Sequence, residues 1–311
     1  MGYCYLAHQL RLKRSGKFPF VINFELWNEC NANCVFCRSA NGEIYDQNPK
    51  APGRSIAKGR MPWQVYAEII DQVKDYLLMA ILYINGEPLL YKDIDRAIKY
   101  ASDKRIATMI STNGILLNES NIKKLLGSGL DFLKVAISGF SQETYGIEVR
   151  RGEIEKIKDN LRLLARLNEA GRHGLLVMLD FIHYTYNAHE IETVRQFCQE
   201  NGFVFNLRPG ITTGLKGVEP VQPPKKNTDK LCDWPWKVLS INWNGDIFPC
   251  CNYVLWSEVR PYARFELGRT RVAEVWNGSS ARAYRAVHIE QGRKGIPICA
   301  DCTVEGVYFK Y

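Results

Sequence analysis

The feature that most constrains the fold is a sixfold alternation of apolar strands and amphipathic helices between residues 18 and 210. Short apolar runs of the buried-strand type alternate with segments whose apolar residues recur at helical spacing. This alternation predicts an α/β protein with parallel strands and right-handed crossovers, either closed into a partial barrel or laid out as an open sheet. The predicted strands are residues 18–26, 80–84, 106–110, 132–137, 175–182 and 203–207.

Polar motifs follow these strands at their carboxyl ends, which is where both architectures place their functional sites. Their shared position predicts a single site at one edge of the sheet. The motifs are the loop from Cys30 to Cys37, Asn85-Gly86-Glu87-Pro88, Ser111-Thr112-Asn113, Ser138-Gly139 and Arg208-Pro209-Gly210.

The first of these loops carries Cys30, Cys34 and Cys37 at the spacing C-x3-C-x2-C. Three thiolates on so short a loop can hold three corners of a cubane iron–sulfur cluster, whereas a cluster that only carries electrons has four cysteine ligands. The remaining iron then stays open to a small molecule, as the open position of a catalytic zinc does. The spacing alone also allows a zinc knuckle or a set of buried free thiols.

The cysteine spacing, with Phe36 just before the last cysteine, resembles the radical SAM superfamily. In that family the open iron binds the amino and carboxylate groups of S-adenosylmethionine (SAM). An electron from the [4Fe–4S] cluster then cleaves SAM to methionine and a 5′-deoxyadenosyl radical. The resemblance implies a partial (β/α)6 TIM-like barrel over residues 18–210, preceded by an extension of residues 1–17.

The motif after the second strand is similar to the GGEP motif of the same family. The resemblance implies that Gly86, Glu87 and Pro88 belong to the SAM site, where the backbone and the acidic side chain receive the methionine amino group. The first glycine of that motif is Asn85 here. Because asparagine can adopt the left-handed conformation that glycine favours, we expect this departure to be minor.

The motifs after the third and fourth strands match further SAM-binding positions of the family. Ser111, Thr112 and Asn113 match positions that contact the ribose hydroxyls. Ser138 and Arg151 match positions that hold the methionine carboxylate, with Arg150 as the competing assignment. An arginine there is physically reasonable because it pairs bidentately with a carboxylate.

A second cysteine group follows a linker-like stretch, residues 211–230. An Asn244-Gly245 turn predicts a β-hairpin in a small α+β module over residues 231–311. The module closely resembles twitch, the shortened SPASM module, which implies one auxiliary [4Fe–4S] cluster; four thiolates could instead hold a structural zinc. The proposed ligands are Cys232, Cys250, Cys299 and Cys302.

One cysteine of this module, Cys251, is left over. Successive side chains on a strand point to opposite faces, so we expect Cys250 and Cys251 not to share a cluster. Cys251 is then a packed residue, a ligand in place of Cys250, or a thiol that donates hydrogen to a substrate radical. A donor thiol would make the protein an epimerase, which we favour slightly; without a donor it would be a dehydrogenase.

The composition excludes several classes of protein. The net charge of +8 is dispersed, without a block of like charges, and indicates a solvated basic surface rather than a nucleic-acid site. No stretch has the apolar core of a signal peptide or the length of a membrane span. We therefore expect a cytoplasmic protein whose cysteines bind metal or act in catalysis. Cys198, at helical spacing among apolar residues, is predicted to be a core thiol.

The resemblance implies two classes of function. The first is an enzyme like the aminocyclitol dehydrogenases and aminosugar epimerases, acting on a sugar-like or cyclitol small molecule and reduced by a donor such as flavodoxin or ferredoxin. The alternative is a peptide-modifying maturase of the SPASM type. Such maturases often carry a peptide-binding domain, and fewer than twenty residues precede the predicted barrel here. A third class, an electron carrier without turnover, is disfavoured by the open iron.

Overall fold

The computed structural model describes residues 2–34, 57–210, 218–221, 231–252, 260–300 and 302. Over these ranges strands and helices alternate up to residue 209, and shorter elements follow. The strands are β1 (Val21–Phe24), β2 (Met79–Ile81), β3 (Ala107–Thr112), β4 (Phe132–Ile137), β5 (Leu176–His183), β6 (Val204–Pro209), β7 (Val238–Ile241), β8 (Asp246–Phe248) and β9 (Ala263–Arg264). The helices are α1 (Gly2–Gln9), α2 (Trp63–Val73), α3 (Ile94–Ser102), α4 (Glu119–Gly127), α5 (Gln142–Glu148), α6 (Ile154–Gly171), α7 (Ile191–Glu200), α8 (Trp234–Lys237), α9 (Val272–Trp276), α10 (Ser279–Gln291) and α11 (Pro297–Ala300).

The strands of the described residues form one sheet in the order β6-β5-β4-β3-β2-β1-β7-β8-β9. Every pair from β6 to β7 is parallel, and β8 and β9 are antiparallel additions. The predicted fold class, a parallel α/β barrel sheet followed by a small module with a hairpin, is confirmed. No helix within the described ranges is both long and apolar enough to cross a membrane.

The central strands show why the sequence folds in this way. Along β4 the residues Leu133, Val135 and Ile137 are buried in the main core, while the intervening positions are partly exposed. The buried set forms the outer face of the sheet, which packs against the helices. The other set forms the inner face, which lines the barrel. Because side chains alternate along the strand, one face of the sheet belongs to the core and the other face can carry functional residues.

The helices cover the outer face as their periodicity predicts. In α6 the residues Ile154, Ile157, Leu161 and Leu164 are all buried. The helix ends where Arg172 adopts a left-handed conformation with φ of 49°, and its N–H donates to the carbonyl oxygens of Asn168 and Glu169. This closure satisfies backbone acceptors at the helix end and turns the chain into β5.

The small module is joined to the barrel through the sheet itself. Strand β7 pairs in parallel with β1, with Val21 opposite Val238 and Phe24 opposite Ile241. Arg285 of α10 is fully buried and donates to backbone oxygens of the N-terminal segment and of the module, including Lys13 (3.3 Å) and Pro235 (2.7 Å). The boundaries at residues 17, 210 and 230 remain predictions.

Candidate active site

The first cysteine loop lies against the carboxyl end of β3 and against the segment that follows α5. Cys34 forms an isolated antiparallel bridge with Val149, and the Arg151 N–H donates to the Ala32 carbonyl oxygen at 3.1 Å. Next to β3, the Asn113 Nδ2 atom lies 3.5 Å from the Cys30 sulfur. Cys30 and Cys34 thus face the strand-end motifs, as predicted; Phe36 and Cys37 lie outside the described residues.

The turn after β2 is packed backbone to backbone against the segment that precedes Cys30. Gly86 has a φ of +74°, and a Cβ atom there would lie 2.7 Å from the Asn28 carbonyl carbon and from the Glu29 oxygen. The Glu87 N–H also donates to the Glu29 oxygen at 2.8 Å. Asn85 is not in the left-handed region. Its side-chain amide instead donates to Glu25 Oε1 at 2.7 Å. Asn85 therefore differs from the glycine of the family motif by this side-chain hydrogen bond and not by a left-handed backbone.

Substitution of Gly86 by alanine is expected to weaken SAM binding by at least about tenfold. The left-handed conformation costs an alanine about 1–2 kcal/mol, and the new methyl group would overlap backbone atoms that cannot move aside easily. The turn would then shift away from the loop that carries Cys30. Equilibrium dialysis of SAM measures the effect. Gly174→Ala is the matched control, because Gly174 also has a positive φ of 72° but has no atom within 4 Å of its Cβ position. Equal affinities of the two variants would contradict the role of the turn.

Glu87 is 1% exposed and its carboxylate accepts three hydrogen bonds. Oε1 accepts from the Thr112 hydroxyl at 2.7 Å and from the Leu89 N–H at 3.0 Å, and Oε2 accepts from the Asn113 N–H at 2.8 Å. Burial raises the pKa of Glu87 to about 7, although these donors act in the opposite direction. The carboxyl group is therefore fixed in place and close to its titration point at neutral pH.

The Ser111-Thr112-Asn113 motif is divided between two tasks. Thr112 is buried, and its hydroxyl donates to Glu87 and accepts the Gly114 N–H at 3.1 Å. Asn113 connects Glu87 to the cysteine loop, since its amide also donates to Asn31 Oδ1 at 2.9 Å. Ser111 lies half-buried on the inner face of β3. The predicted ribose contacts of these three residues remain predictions.

Ser138 follows β4 and lies in a buried polar corner. Its hydroxyl lies beside the Glu148 carboxyl group and the Tyr186 hydroxyl and lowers the pKa of both. Burial raises the pKa of Glu148 to about 7, and the nearby Ser138 hydroxyl lowers it. Arg150 and Arg151 are both exposed, so the choice between them for the SAM carboxylate remains open.

The late cysteines come together in one cavity. Cys232, Cys250, Cys251, Cys299 and Cys302 line it with Trp234, Tyr284 and Arg293. Tyr284 lies 3.2 Å from the Cys299 sulfur, and the Asn252 amide lies 3.7 Å from the Cys302 sulfur. No acidic side chain of the described residues lines this cavity. A set of thiols around one cavity fits an iron–sulfur cluster.

Cys250 and Cys251 both line this cavity. The expectation that they point to opposite faces, and so do not share a cluster, therefore loses its basis. Strand β8 ends at Phe248, so the alternation of side chains does not extend to residues 250 and 251. Burial raises the pKa of the Cys251 thiol to about 11; Cys302 raises it further and Lys134 lowers it. Cys251 thus lies in the cavity of the second cysteine group, where Lys134 of β4 acts on its pKa.

A charged group on the inner face was not predicted from the sequence. Asp180 of β5 is 1% exposed and pairs with Arg208 of β6 at 3.0 Å and with Lys134 of β4 at 3.5 Å. The Asn206 amide donates to the other oxygen of Asp180. The sequence does contain a signal for this group, namely one charged residue in each of two otherwise apolar strands, Lys134 in β4 and Asp180 in β5. Because buried charges are retained only when they are paired, such residues indicate a charged partner nearby.

Comparison with known protein families identifies the superfamily. A family model described as the radical SAM superfamily matches residues 24–198, more than half of the chain. The chain belongs to the radical SAM superfamily. A second model, the SPASM iron–sulfur cluster-binding domain, matches residues 232–303. This radical SAM protein therefore has [4Fe–4S] clusters and SAM as its cofactors, and the zinc alternative for the second cysteine group no longer applies.

Two curated relatives of this radical SAM protein align with parts of its chain at 30% identity. The AdoMet-dependent heme synthase of Methanosarcina barkeri is 30% identical over 127 residues, which are 41% of this chain and 33% of the relative. The S-adenosylmethionine-dependent nucleotide dehydratase of Lacinutrix mariniflava is 30% identical over 138 residues, 44% of this chain and 27% of the relative. The alignments span less than half the length of either relative.

Solved radical SAM structures share the fold over nearly the whole chain. The structure of BtrN in complex with AdoMet and 2-DOIA has a TM-score of 0.58 and 16% identity, and the match covers 92% of this chain and 93% of BtrN. SuiB of Streptococcus suis bound to S-adenosylmethionine has a TM-score of 0.66 and 16% identity, with coverages of 94% and 73%. At these identities the likeness shows the fold alone.

Proposed function

We propose that this radical SAM enzyme abstracts hydrogen from a C–H bond of a polar, sugar-like or cyclitol small molecule and gives epimerisation or dehydrogenation. The observation that carries the proposal is the charged inner face of the barrel, formed by Lys134, Asp180 and Arg208. Polar groups that converge in a concave site orient a small polar ligand. Curated relatives with small-molecule names, such as heme synthase and nucleotide dehydratase, support the same class.

The proposed ligands form two sets. One cluster is held by Cys30, Cys34 and Cys37, and the auxiliary cluster is held by Cys232, Cys250, Cys299 and Cys302. When bound, the first cluster supplies the electron that cleaves SAM to a 5′-deoxyadenosyl radical. Reduction by flavodoxin or ferredoxin and a cytoplasmic location belong to the same proposal.

The chain's own residues hold SAM at the strand ends. Glu87 and the backbone at Gly86 and Pro88 receive the methionine amino group. Ser138 and Arg151 hold the carboxylate. The ribose hydroxyls are placed against Ser111, Thr112 and Asn113.

The affinity for SAM is expected to fall as the pH drops below 7. Because burial raises the pKa of Glu87 to about 7, the free protein carries a growing fraction of neutral carboxyl groups at lower pH. A neutral carboxyl group must lose its proton before it can accept a charge-assisted hydrogen bond from the SAM amino group. Each unit below the pKa should therefore raise the Kd for SAM about tenfold.

Equilibrium dialysis of SAM at a series of pH values from about 5.5 to 7.5 measures this dependence. Glu87→Gln is the control, since it removes this titrating group; its Kd should be higher and should change less with pH than the wild-type Kd. Glutamine also presents an amide nitrogen to the Asn113 N–H, so the slope rather than the absolute Kd is diagnostic. A wild-type Kd that does not change with pH would contradict the role of Glu87.

The substrate class is tested by transfer of isotope into 5′-deoxyadenosine. The reduced enzyme is incubated with SAM and with deuterated sugars, cyclitols and nucleotides, and in a separate arm with deuterated peptides. Deuterium in 5′-deoxyadenosine from a small molecule supports the proposal. Transfer from peptides alone would favour the peptide-modifying alternative, for which the structural likeness to SuiB, solved with its precursor peptide SuiA, is the supporting observation.

Cys251 is proposed to donate hydrogen to the substrate radical in an epimerisation. Cys251 lines the cavity of the second cysteine group, and an S–H bond is weaker than the C–H bond that would form. The thiyl radical left on Cys251 would take one electron from the flavodoxin or ferredoxin donor and one proton from solvent to restore the thiol. Turnover in D2O is expected to put deuterium on the inverted carbon, and Cys251→Ala should lose most of the product. Product without deuterium, or full turnover by Cys251→Ala, would end the donor role and favour dehydrogenation.

A further inference from the structure

We propose that Arg208 and Lys134 bind an anionic oxygen group of the substrate, either a phosphate or a carboxylate. This inference rests on the proposed small-molecule function and specifies its substrate class. It concerns side chains on the inner face of the barrel that have no part in holding SAM or the clusters.

The charges of this group do not cancel. Arg208 Nε donates to Asp180 Oδ2 at 3.0 Å, and Lys134 Nζ lies 3.5 Å from the same oxygen. Asp180 is the sole acidic partner that the described residues offer to these two cations within salt-bridge distance. Two cations on one carboxylate leave one positive charge while the nearby Glu148 carboxyl group is protonated, and an uncompensated charge in a partly desolvated site attracts an anion.

The two cations are partly exposed, as binding of a ligand requires, whereas their carboxylate partner is buried. The Asp180 side chain is 1% exposed, whereas the Arg208 side chain is 41% exposed and the Lys134 side chain is 20% exposed. Asp180 therefore anchors the cations from below while they remain accessible from the barrel. Lys134 also lies 5.5 Å from the centre of the Tyr83 ring, which restricts the position of its ammonium group.

Arg208 has hydrogen-bonding capacity to spare. Within the described ranges Nε is the atom of its guanidinium group that makes a hydrogen bond. The two terminal nitrogen atoms remain as a planar pair of donors, which matches two oxygens of a phosphate or a carboxylate. Lysine contributes a point charge beside this fork.

Glu148 also lies near Arg208, and the positive charge of Arg208 lowers the pKa of the Glu148 carboxyl group against the larger opposite effect of burial. Because burial holds the pKa of Glu148 near 7, its carboxyl group can carry a proton and donate to an anion instead of repelling it.

The position suits a substrate anchor. Lys134 and Arg208 belong to β4 and β6, which flank β5, and both reach the same oxygen of Asp180. An anion held between them would lie on the inner face of the barrel, at the side of the sheet where the proposed SAM site follows β4. Anchoring by charge at one end would fix which C–H bond faces the radical.

Equilibrium dialysis of the reconstituted holoenzyme with labelled pyrophosphate and with labelled malonate tests the inference. The two probes present phosphate oxygens and carboxylate oxygens on small anions that have no sugar or cyclitol ring. We expect at least one of them to bind, with a Kd that rises with salt and about tenfold higher in Arg208→Gln. Lys134→Gln should show a loss in the same direction. Pyrophosphate binding would indicate a phosphorylated substrate, and malonate binding a carboxylated one.

Arg162→Gln is the control variant, since Arg162 is an exposed arginine of α6 that pairs with Asp159 at 2.7 Å; it should bind both probes like the wild type. Thermal unfolding verifies that each variant is folded. Binding of neither anion by the wild type, or equal binding by the wild type and both inner-face variants, would overturn the inference. Formation of 5′-deoxyadenosine by the wild type is measured on the same preparation, so that a failure of the proposed function is recognised separately.

Discussion

Replacement of Cys34 by alanine is expected to reduce the formation of 5′-deoxyadenosine from SAM to background while the chain stays folded. The loop that carries Cys34 offers three thiolates to one cluster and has none to spare, so the loss of one should remove the cluster. The backbone bridge between Cys34 and Val149 does not depend on the thiol and should persist. Anaerobic reconstitution followed by iron analysis should show a loss of about four irons per chain.

Cys198→Ala is the matched control for this variant. Cys198 is 1% exposed in the core beneath α7, so its replacement removes a thiol and costs about 1 kcal/mol of packing without touching either cysteine group. It should keep its iron and its SAM cleavage. Continued release of 5′-deoxyadenosine by the Cys34 variant under dithionite, or an equal loss in both variants, would reject the assignment.

Replacement of Cys302 by alanine is expected to spare some SAM cleavage and to stop product formation. Cys302 lines the cavity of the second cysteine group, which is separate from the loop at Cys30 and Cys34. Loss of this thiolate should remove the auxiliary cluster and with it the acceptor or anchor that the substrate radical needs. The ratio of product to 5′-deoxyadenosine should fall by at least about a hundredfold, which corresponds to about 2.7 kcal/mol.

Cys4→Ala serves as the comparison for the auxiliary cluster. Cys4 is 5% exposed in α1, and its sulfur donates to the Phe18 carbonyl oxygen at 3.7 Å, so it lies outside both cysteine groups. The variant should form product at the wild-type ratio. Product formation by Cys302→Ala at the wild-type ratio would mean that the auxiliary cluster has no part in turnover.

The strands and helices of the barrel could be predicted because their periodicity is strong. The predicted strand 132–137 coincides with β4, and α6 lies in the predicted helical segment between the strands 132–137 and 175–182. The buried strand faces and helix stripes determine these elements, so local sequence is sufficient. The hairpin turn at Asn244-Gly245 was predictable for a similar reason, since Gly245 takes a φ of +88° that its residue type favours.

Other features depend on contacts that the local sequence does not encode. The pairing of β1 with β7 joins residues more than two hundred positions apart. The sequence predicts β7 as part of the small module and does not predict that it pairs with the barrel sheet. Strand β9 has two residues, Ala263 and Arg264, and exists because it pairs with β8. Helix α5 lies between Ser138 and Arg151 in a segment that the pattern of apolar residues does not mark.

The site shows the same division. The strand-end position of Gly86, Glu87 and Asn113 predicted that they would come together, and they do so through Glu29 and the cysteine loop. The expected separation of Cys250 from Cys251 rested on strand geometry, and β8 ends before either residue. The network around Asp180 depends on three strands that meet on the inner face, which only the three-dimensional arrangement brings together.

The most direct test of the two-cluster radical SAM assignment is an iron and sulfide count on the anaerobically reconstituted wild-type protein, made together with an assay for 5′-deoxyadenosine. The account predicts about eight irons and about eight sulfides per chain, four of each for each cubane, and formation of 5′-deoxyadenosine from SAM under dithionite. A protein with clearly fewer than about eight irons per chain, or one that is fully loaded and leaves SAM intact, would contradict it.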